Sequence, residues 1–193
     1  MSSAKTPPNT LALPAGYRLQ TAMDLKKDRK INASIQVCFV IIMALMFILA
    51  RRLQLPAQSG WGTGTLIPVT VLMAFAYIVL HELTHGVAMK LLSGARPVYF
   101  PRFPFVCTGS AAYFNRGSFI LIALAPVILW GGILIALMLL LPNDFSLSVY
   151  IVIGLNFAGA AGDYFQTWAI LKLPKSALIQ DTGKVTGVFL PGK

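Results

Sequence analysis

Residues 66–92 read LIPVTVLMAFAYIVLHELTHGVAMKLL. The stretch is long enough to cross a hydrocarbon core, which takes about 20 apolar residues. It also holds both histidines of the chain, His81 and His85, and its only glutamate, Glu82. On a helix, positions four apart lie one turn apart on a common face, so both imidazoles can reach one ion with the carboxylate beside it. An ionisable side chain costs about 3 kcal/mol in the middle of a span on insertion scales, so a cluster of them marks function rather than packing. The HExxH pattern, His81-Glu82-Leu83-Thr84-His85, is that of zinc hydrolases.

Composition says which solvent this helix meets. Hydrophobic residues make up 56% of the chain and charged ones 11%, with mean hydropathy +0.73, outside the range of soluble globular domains. Four stretches are long enough to span a bilayer: 33–50, 66–92, 118–141 and 147–171. The need to satisfy every backbone group in lipid makes helices the reading. The net charge of +10 would suggest nucleic acid in a soluble domain, but here the cations gather at the ends of the spans. Fourteen of the sixteen Lys and Arg residues fall before the first span, at the end of the second (Lys90) or between it and the third, or after the fourth; Arg51 and Arg52 are the two on the other side. The positive-inside rule therefore predicts an integral, multi-pass membrane protein with both termini cytoplasmic, facing anionic lipid and no nucleic acid.

The polar start is too long for the n-region of a signal peptide, so the first span is expected to stay as an anchor. Cys38 lies in a span and Cys107 in a cytoplasmic loop, which predicts two free thiols. No internal repeat is evident. The expected organisation is a cytoplasmic N-terminal segment (1–32), a four-span metalloprotease-like membrane domain (33–171) and a short cytoplasmic tail (172–193). The fold class is an all-α membrane protein of about four transmembrane helices, with a short β-like or irregular interfacial loop between the second and third.

Zinc needs a third protein ligand, and the chain offers few. Neither a third histidine nor a second glutamate exists, so cysteine or aspartate remains, with Cys38 and Cys107 the weaker candidates. Asp24 and Asp28 precede the first span, Asp144 lies in the opposite loop and Asp181 in the tail, which leaves Asp163 as the one aspartate inside a span. Counted back from Lys172 and Lys90, Asp163, His81 and His85 all lie about 8 to 14 Å below the cytoplasmic helix ends at 1.5 Å per residue. Asn156, Gly159 or Ala160, and Asp163 recur at helical spacing, where small residues let another helix come close.

HELTH on one span, followed by Asn156 and Gly162-Asp163 on a later one, resembles the site-2 protease type of intramembrane zinc metalloprotease, particularly the small prokaryotic zincin peptidases. The resemblance covers about half of the chain, including the proline-containing span with Pro126. One departure is visible: the larger site-2 proteases carry the metal-binding aspartate in a proline-rich Asp-Gly context, whereas here it stands in Gly162-Asp163-Tyr164.

The chemistry expected of such a site follows from the ion. Zn2+ held by His81, His85 and Asp163 keeps a fourth position for water, lowers that water's pKa towards about 7 and polarises a substrate carbonyl. Glu82 is then the base that takes the water's proton and passes it to the leaving amine. Asn156 either holds the substrate backbone, orients a ligand or makes an interhelical hydrogen bond. The expected partner is a membrane protein or transmembrane peptide, which must be locally unwound. The loop at 94–117, with Pro97, Pro101 and Pro104 among aromatic residues, predicts short strands or a hairpin at the interface. In the resembled family this region offers an extended edge to substrate; an aromatic membrane anchor is the other reading. Tyr77, Trp130 and Trp168 read as lipid-facing or packing side chains.

Competing chemistries fail on counts. Two histidines on one helix face cannot be opposite axial ligands of a haem, one glutamate cannot build a di-iron site, and no histidine is left for a serine protease. The remaining rival is a membrane regulatory protein that binds zinc without cleaving.

Overall fold

The computed structural model describes residues 6–55, 60–102 and 105–192. Lys5 and Lys193, counted above for topology, and Phe103 and Pro104 of the proline-rich loop lie outside the described residues. Among the described residues four helical segments are long and apolar enough to cross a membrane. They are α1 (Arg29–Arg52), α2 (Thr63–Ser93), α3 (Arg116–Leu140) and a fourth segment divided into α4 (Ser146–Gly159) and α5 (Ala161–Leu171).

Their ends are set by local chemistry. Asp28 caps α1, its carboxylate accepting the amides of Lys30 at 2.9 Å and Ile31 at 3.1 Å. Asn115 caps α3 in the same way through Ser118 N–H at 2.9 Å, satisfying donors that a helix start leaves open. α2 stops at Gly94, whose φ of +73° is the left-handed conformation open to glycine at small cost. The stretch 147–171, read above as one span, is not one continuous helix. The backbone departs from helical geometry at Ala160, with ψ at +10°, so a new helix N-terminus begins there and Asp163 sits in its first turn.

α2, α3 and α4 pack on one another and α5 packs on α3, while α1 lies against α4 and α5. None of the residues of α1 is buried.

The sequence led us to expect an all-α chain with one β-like loop, and this is too narrow. A four-stranded antiparallel sheet joins three distant parts of the molecule. β1 (Tyr17–Met23) pairs with β6 (Thr186–Pro191), β6 with β5 (Leu178–Asp181), and β5 with the short β4 (Phe114–Asn115) that leads into α3. The N-terminal segment and the tail, expected as separate appendages, are thus neighbouring strands. Their pairing is stabilised by burial beneath the sheet. Phe114 and Ile179 are fully enclosed and pack with Phe119, Ile122 and Ile170 of the helices. Each such side chain contributes about 1.5–3 kcal/mol.

The loop between α2 and α3 forms a hairpin, as its composition predicts: β2 (Val98–Arg102) pairs with β3 (Phe105–Gly109) from Val98↔Gly109 to Arg102↔Phe105. The end of β3 is locked under the β5–β6 turn. A Cβ added to Gly109 would lie 2.3 Å from the carbonyl carbon of Thr182, and Ser110 N–H donates to the Asp181 carbonyl at 2.7 Å. This contact carries the tail hairpin to the edge of α2.

Candidate metal centre

Within α2, His81 and His85 fall one turn apart with ring centroids at 4.9 Å. The Gly159 to Gly162 stretch removes side-chain bulk where α4 gives way to α5, and Asp163 follows at once. A helix N-terminus favours a carboxylate in its first turn. Three residues converge: His81 Nε2 and His85 Nε2 are 3.2 Å apart, His81 Nε2 and Asp163 Oδ2 are 3.3 Å apart, and His85 Nε2 and Asp163 Oδ1 are 3.6 Å apart.

These separations test whether zinc fits. Four ligands placed tetrahedrally about 2.1 Å from a zinc ion stand about 3.4 Å from each other, and the contacts of 3.2, 3.3 and 3.6 Å, the last two to different oxygens of Asp163, lie near that value. Hydrogen bonding at the far side of each ring agrees. His85 Nδ1 is 2.9 Å from the Ile122 carbonyl, an obligate acceptor, so Nδ1 carries the proton and Nε2 presents its lone pair to the gap. The donor set of two imidazoles and a carboxylate thus suits zinc, and His81, His85 and Asp163 are close enough to hold a metal ion.

Glu82 stands beside this set rather than in it. Thr108 of β3 reaches it from the hairpin, its Oγ1 2.8 Å from Glu82 Oε2 and 2.9 Å from the Glu82 carbonyl oxygen. Glu82 and Asp163 both line two cavities that meet at the centre. The smaller, about 200 Å³, is polar on one wall, with Thr108, Gln166 and Asp181. The larger, about 500 Å³, opens towards α1 between Ile35, Phe39, Ile78 and Leu155.

The family comparison now has a geometry to be set against. A family model described as "Putative zincin peptidase" matches residues 74–178, which include the part of α2 that carries the motif, the hairpin, α3 and the Asp163 turn. The chain belongs to this zincin peptidase family. The match supports a metallopeptidase that uses zinc, and it spans all three residues of the converging set. Neither a curated protein nor a solved structure matches the chain.

Of the residues singled out from the sequence, His81, His85, Asp163 and Glu82 come together. Asn156 does not face either cavity. It is fully buried, with its amide oxygen accepting from the Tyr77 hydroxyl at 3.1 Å and its amide nitrogen donating to the Val127 carbonyl at 3.2 Å. Of its three readings, the interhelical and ligand-orienting ones fit this placement, and direct contact with substrate does not. Tyr77, read as a packing or lipid-facing residue, instead has its hydroxyl 2.9 Å from His81 Nδ1. Its place four residues before His81 was the available signal. Thr108 carried no comparable local signal, because its importance comes from a hairpin folding back onto α2. Among the described residues neither Cys38 nor Cys107 is in a disulfide.

Asp181 is the other residue the sequence left in the tail. Its side chain is partly buried, lines the smaller cavity and accepts Gly183 N–H at 2.7 Å. Burial, the largest influence, pushes its pKa up to about 6; the Gly183 amide and His85 oppose the rise, and Asp163 and Glu82 add to it. A carboxyl whose folded pKa lies above its unfolded value of 3.8 binds more protons in the native state. Its contribution to stability is full below about pH 4 and is lost as pH rises through about 6. Asp181→Asn keeps an acceptor for Gly183 and removes the charge. In metal-free protein it should therefore stabilise by up to about 3 kcal/mol above pH 6, with a smaller difference at pH 4. Thermal unfolding in detergent across that range checks this; parallel profiles for the two proteins would contradict it.

Proposed function

We propose that this protein is an intramembrane zinc metalloprotease of the site-2 protease kind, hydrolysing a peptide bond in or near a transmembrane segment. The observation that carries the reading is the convergence of His81, His85 and Asp163, with a separate carboxylate, Glu82, held at the junction of two cavities. When bound, zinc supplies an acidified water and a Lewis acid for the scissile carbonyl.

The residues of the chain do the rest. Glu82 accepts the proton of the attacking water and delivers it to the leaving amine, and Thr108 keeps that carboxylate in place. The apolar cavity towards α1 accommodates a substrate segment arriving from the bilayer. β3 is paired through β2 on one edge, and Val106 and Cys107 line the larger cavity; an unwound segment added beside them would gain backbone hydrogen bonds. A binding protein that holds zinc without cleaving would need no base at Glu82 and no path for a second chain.

Purified zinc-loaded protein incubated with helix-destabilised transmembrane peptides should release products whose termini map the cut, and chelation should stop it. Intact peptides throughout would favour the non-cleaving alternative.

We place both termini in the cytoplasm, on the strength of the basic residues flanking the spans. Leu11→Cys and Lys175→Cys, made without the native thiols, should resist an impermeant reagent added to intact cells, while Gly62→Cys between α1 and α2 reacts. The reverse pattern would invert the orientation and move the cleavage site to the other leaflet.

A further inference from the structure

Both imidazoles lean on α3, and they do so through backbone carbonyls that its sequence makes available. Pro126 lies inside α3 and has no N–H, so the carbonyl four residues earlier, that of Ile122, has no intrahelical partner. That carbonyl is the one 2.9 Å from His85 Nδ1. One turn along, Gly131 leaves room for a side chain to reach the Val127 carbonyl: a Cβ there would stand 3.2 Å from the Asn156 amide nitrogen. Asn156 uses the space, donating to Val127 O at 3.2 Å. Its nitrogen being the donor, its oxygen is the acceptor, and the Tyr77 hydroxyl donates to it at 3.1 Å. The single Tyr77 proton is thereby committed, so the 2.9 Å contact with His81 Nδ1 requires the ring to donate.

We infer that Tyr77 and Asn156 are positioning residues that hold His81 in its Nδ1–H tautomer, with the carbonyl freed by Pro126 doing the same for His85, so that both rings present an Nε2 lone pair to one ion. The inference rests on the zinc reading for its purpose, but the tautomers belong to the protein alone. Direction runs one way along the chain from His81 through Tyr77 and Asn156 to Val127, with each donor matched to one acceptor. Tyr77 and Asn156 are buried, so breaking any link leaves a polar group without water to replace its partner.

Nitrogen-15 NMR of the metal-free protein in detergent, at about pH 9 where ordinary imidazoles are neutral, should show both rings protonated at Nδ1. Tyr77→Phe and Asn156→Ala should each turn His81 into a mixture of tautomers and leave His85 unchanged; Pro126→Ala should disturb His85 and leave His81. Zinc affinity should fall about 10–100-fold in each of the first two, and the double variant should lose no more than the larger single loss, because both cut one chain. An Nε2-protonated His81 in the wild type, or wild-type tautomer and affinity in Tyr77→Phe, overturns the inference. So does strict additivity of the two losses. If the wild type shows the tautomers but takes up no zinc, the relay stands and the metalloprotease reading falls.

Discussion

Glu82→Gln should keep its zinc and its fold while losing peptide hydrolysis by about 10²–10⁴-fold, the usual contribution of a positioned general base. The amide has the size of the carboxylate and offers Thr108 Oγ1, 2.8 Å from Oε2 in the native protein, an oxygen to donate to. What it lacks is basicity. Because His81, His85 and Asp163 form the converging set without Glu82, metal content should stay at the wild-type value. The two readouts separate the hypotheses: lost cleavage with retained zinc assigns the base, whereas lost zinc would make Glu82 a ligand. Unchanged cleavage would remove Glu82 from the chemistry altogether. In cells, the same variant should let an uncleaved membrane protein accumulate.

Legibility in the sequence followed the range of the interactions. His81, Glu82 and His85 are fixed by one helical turn, and their pattern is complete within it. Asp163 was reachable because so few ligand types remained and because two helices of equal depth can be compared residue by residue. The break at Ala160 was not legible, since a run of glycine and alanine is compatible with a continuous helix in lipid and with a helix restarting. Nor was the four-stranded sheet. Its strands are short, and β1 and β6 meet across nearly the whole chain, Tyr17 opposite Pro191, so neither strand announces its partner. Thr108 and Asp181 reach the centre only because the β2–β3 hairpin and the β5–β6 turn interlock at Gly109, a contact between backbones. Such contacts leave a glycine in the sequence but do not say what approaches it.

Asp163→Ala should cost most of the zinc. Affinities of structural zinc sites are about 10–16 kcal/mol for four ligands, so one ligand accounts for on the order of 3 kcal/mol, or at least 10²-fold in Kd. The loss to the fold should be far smaller. A carboxylate in the first turn of a helix contributes about 0.3–1 kcal/mol through the helix dipole, and α5 keeps its packing on α3 through Ile170, which is fully buried. A variant with wild-type unfolding behaviour and little metal is therefore the expected result, measured by metal analysis after dialysis against a competing chelator. Asp163→Asn sharpens the test, because it preserves shape while removing the charge that offsets the cation, and it should fall in the same direction. The competing third ligand is Cys107, which lines both cavities beside Glu82. Cys107→Ser should leave zinc in place. Were Cys107→Ser to release the metal while Asp163→Ala retained it, the carboxylate would be a neighbour of the centre, and the hairpin rather than α5 would supply its third ligand.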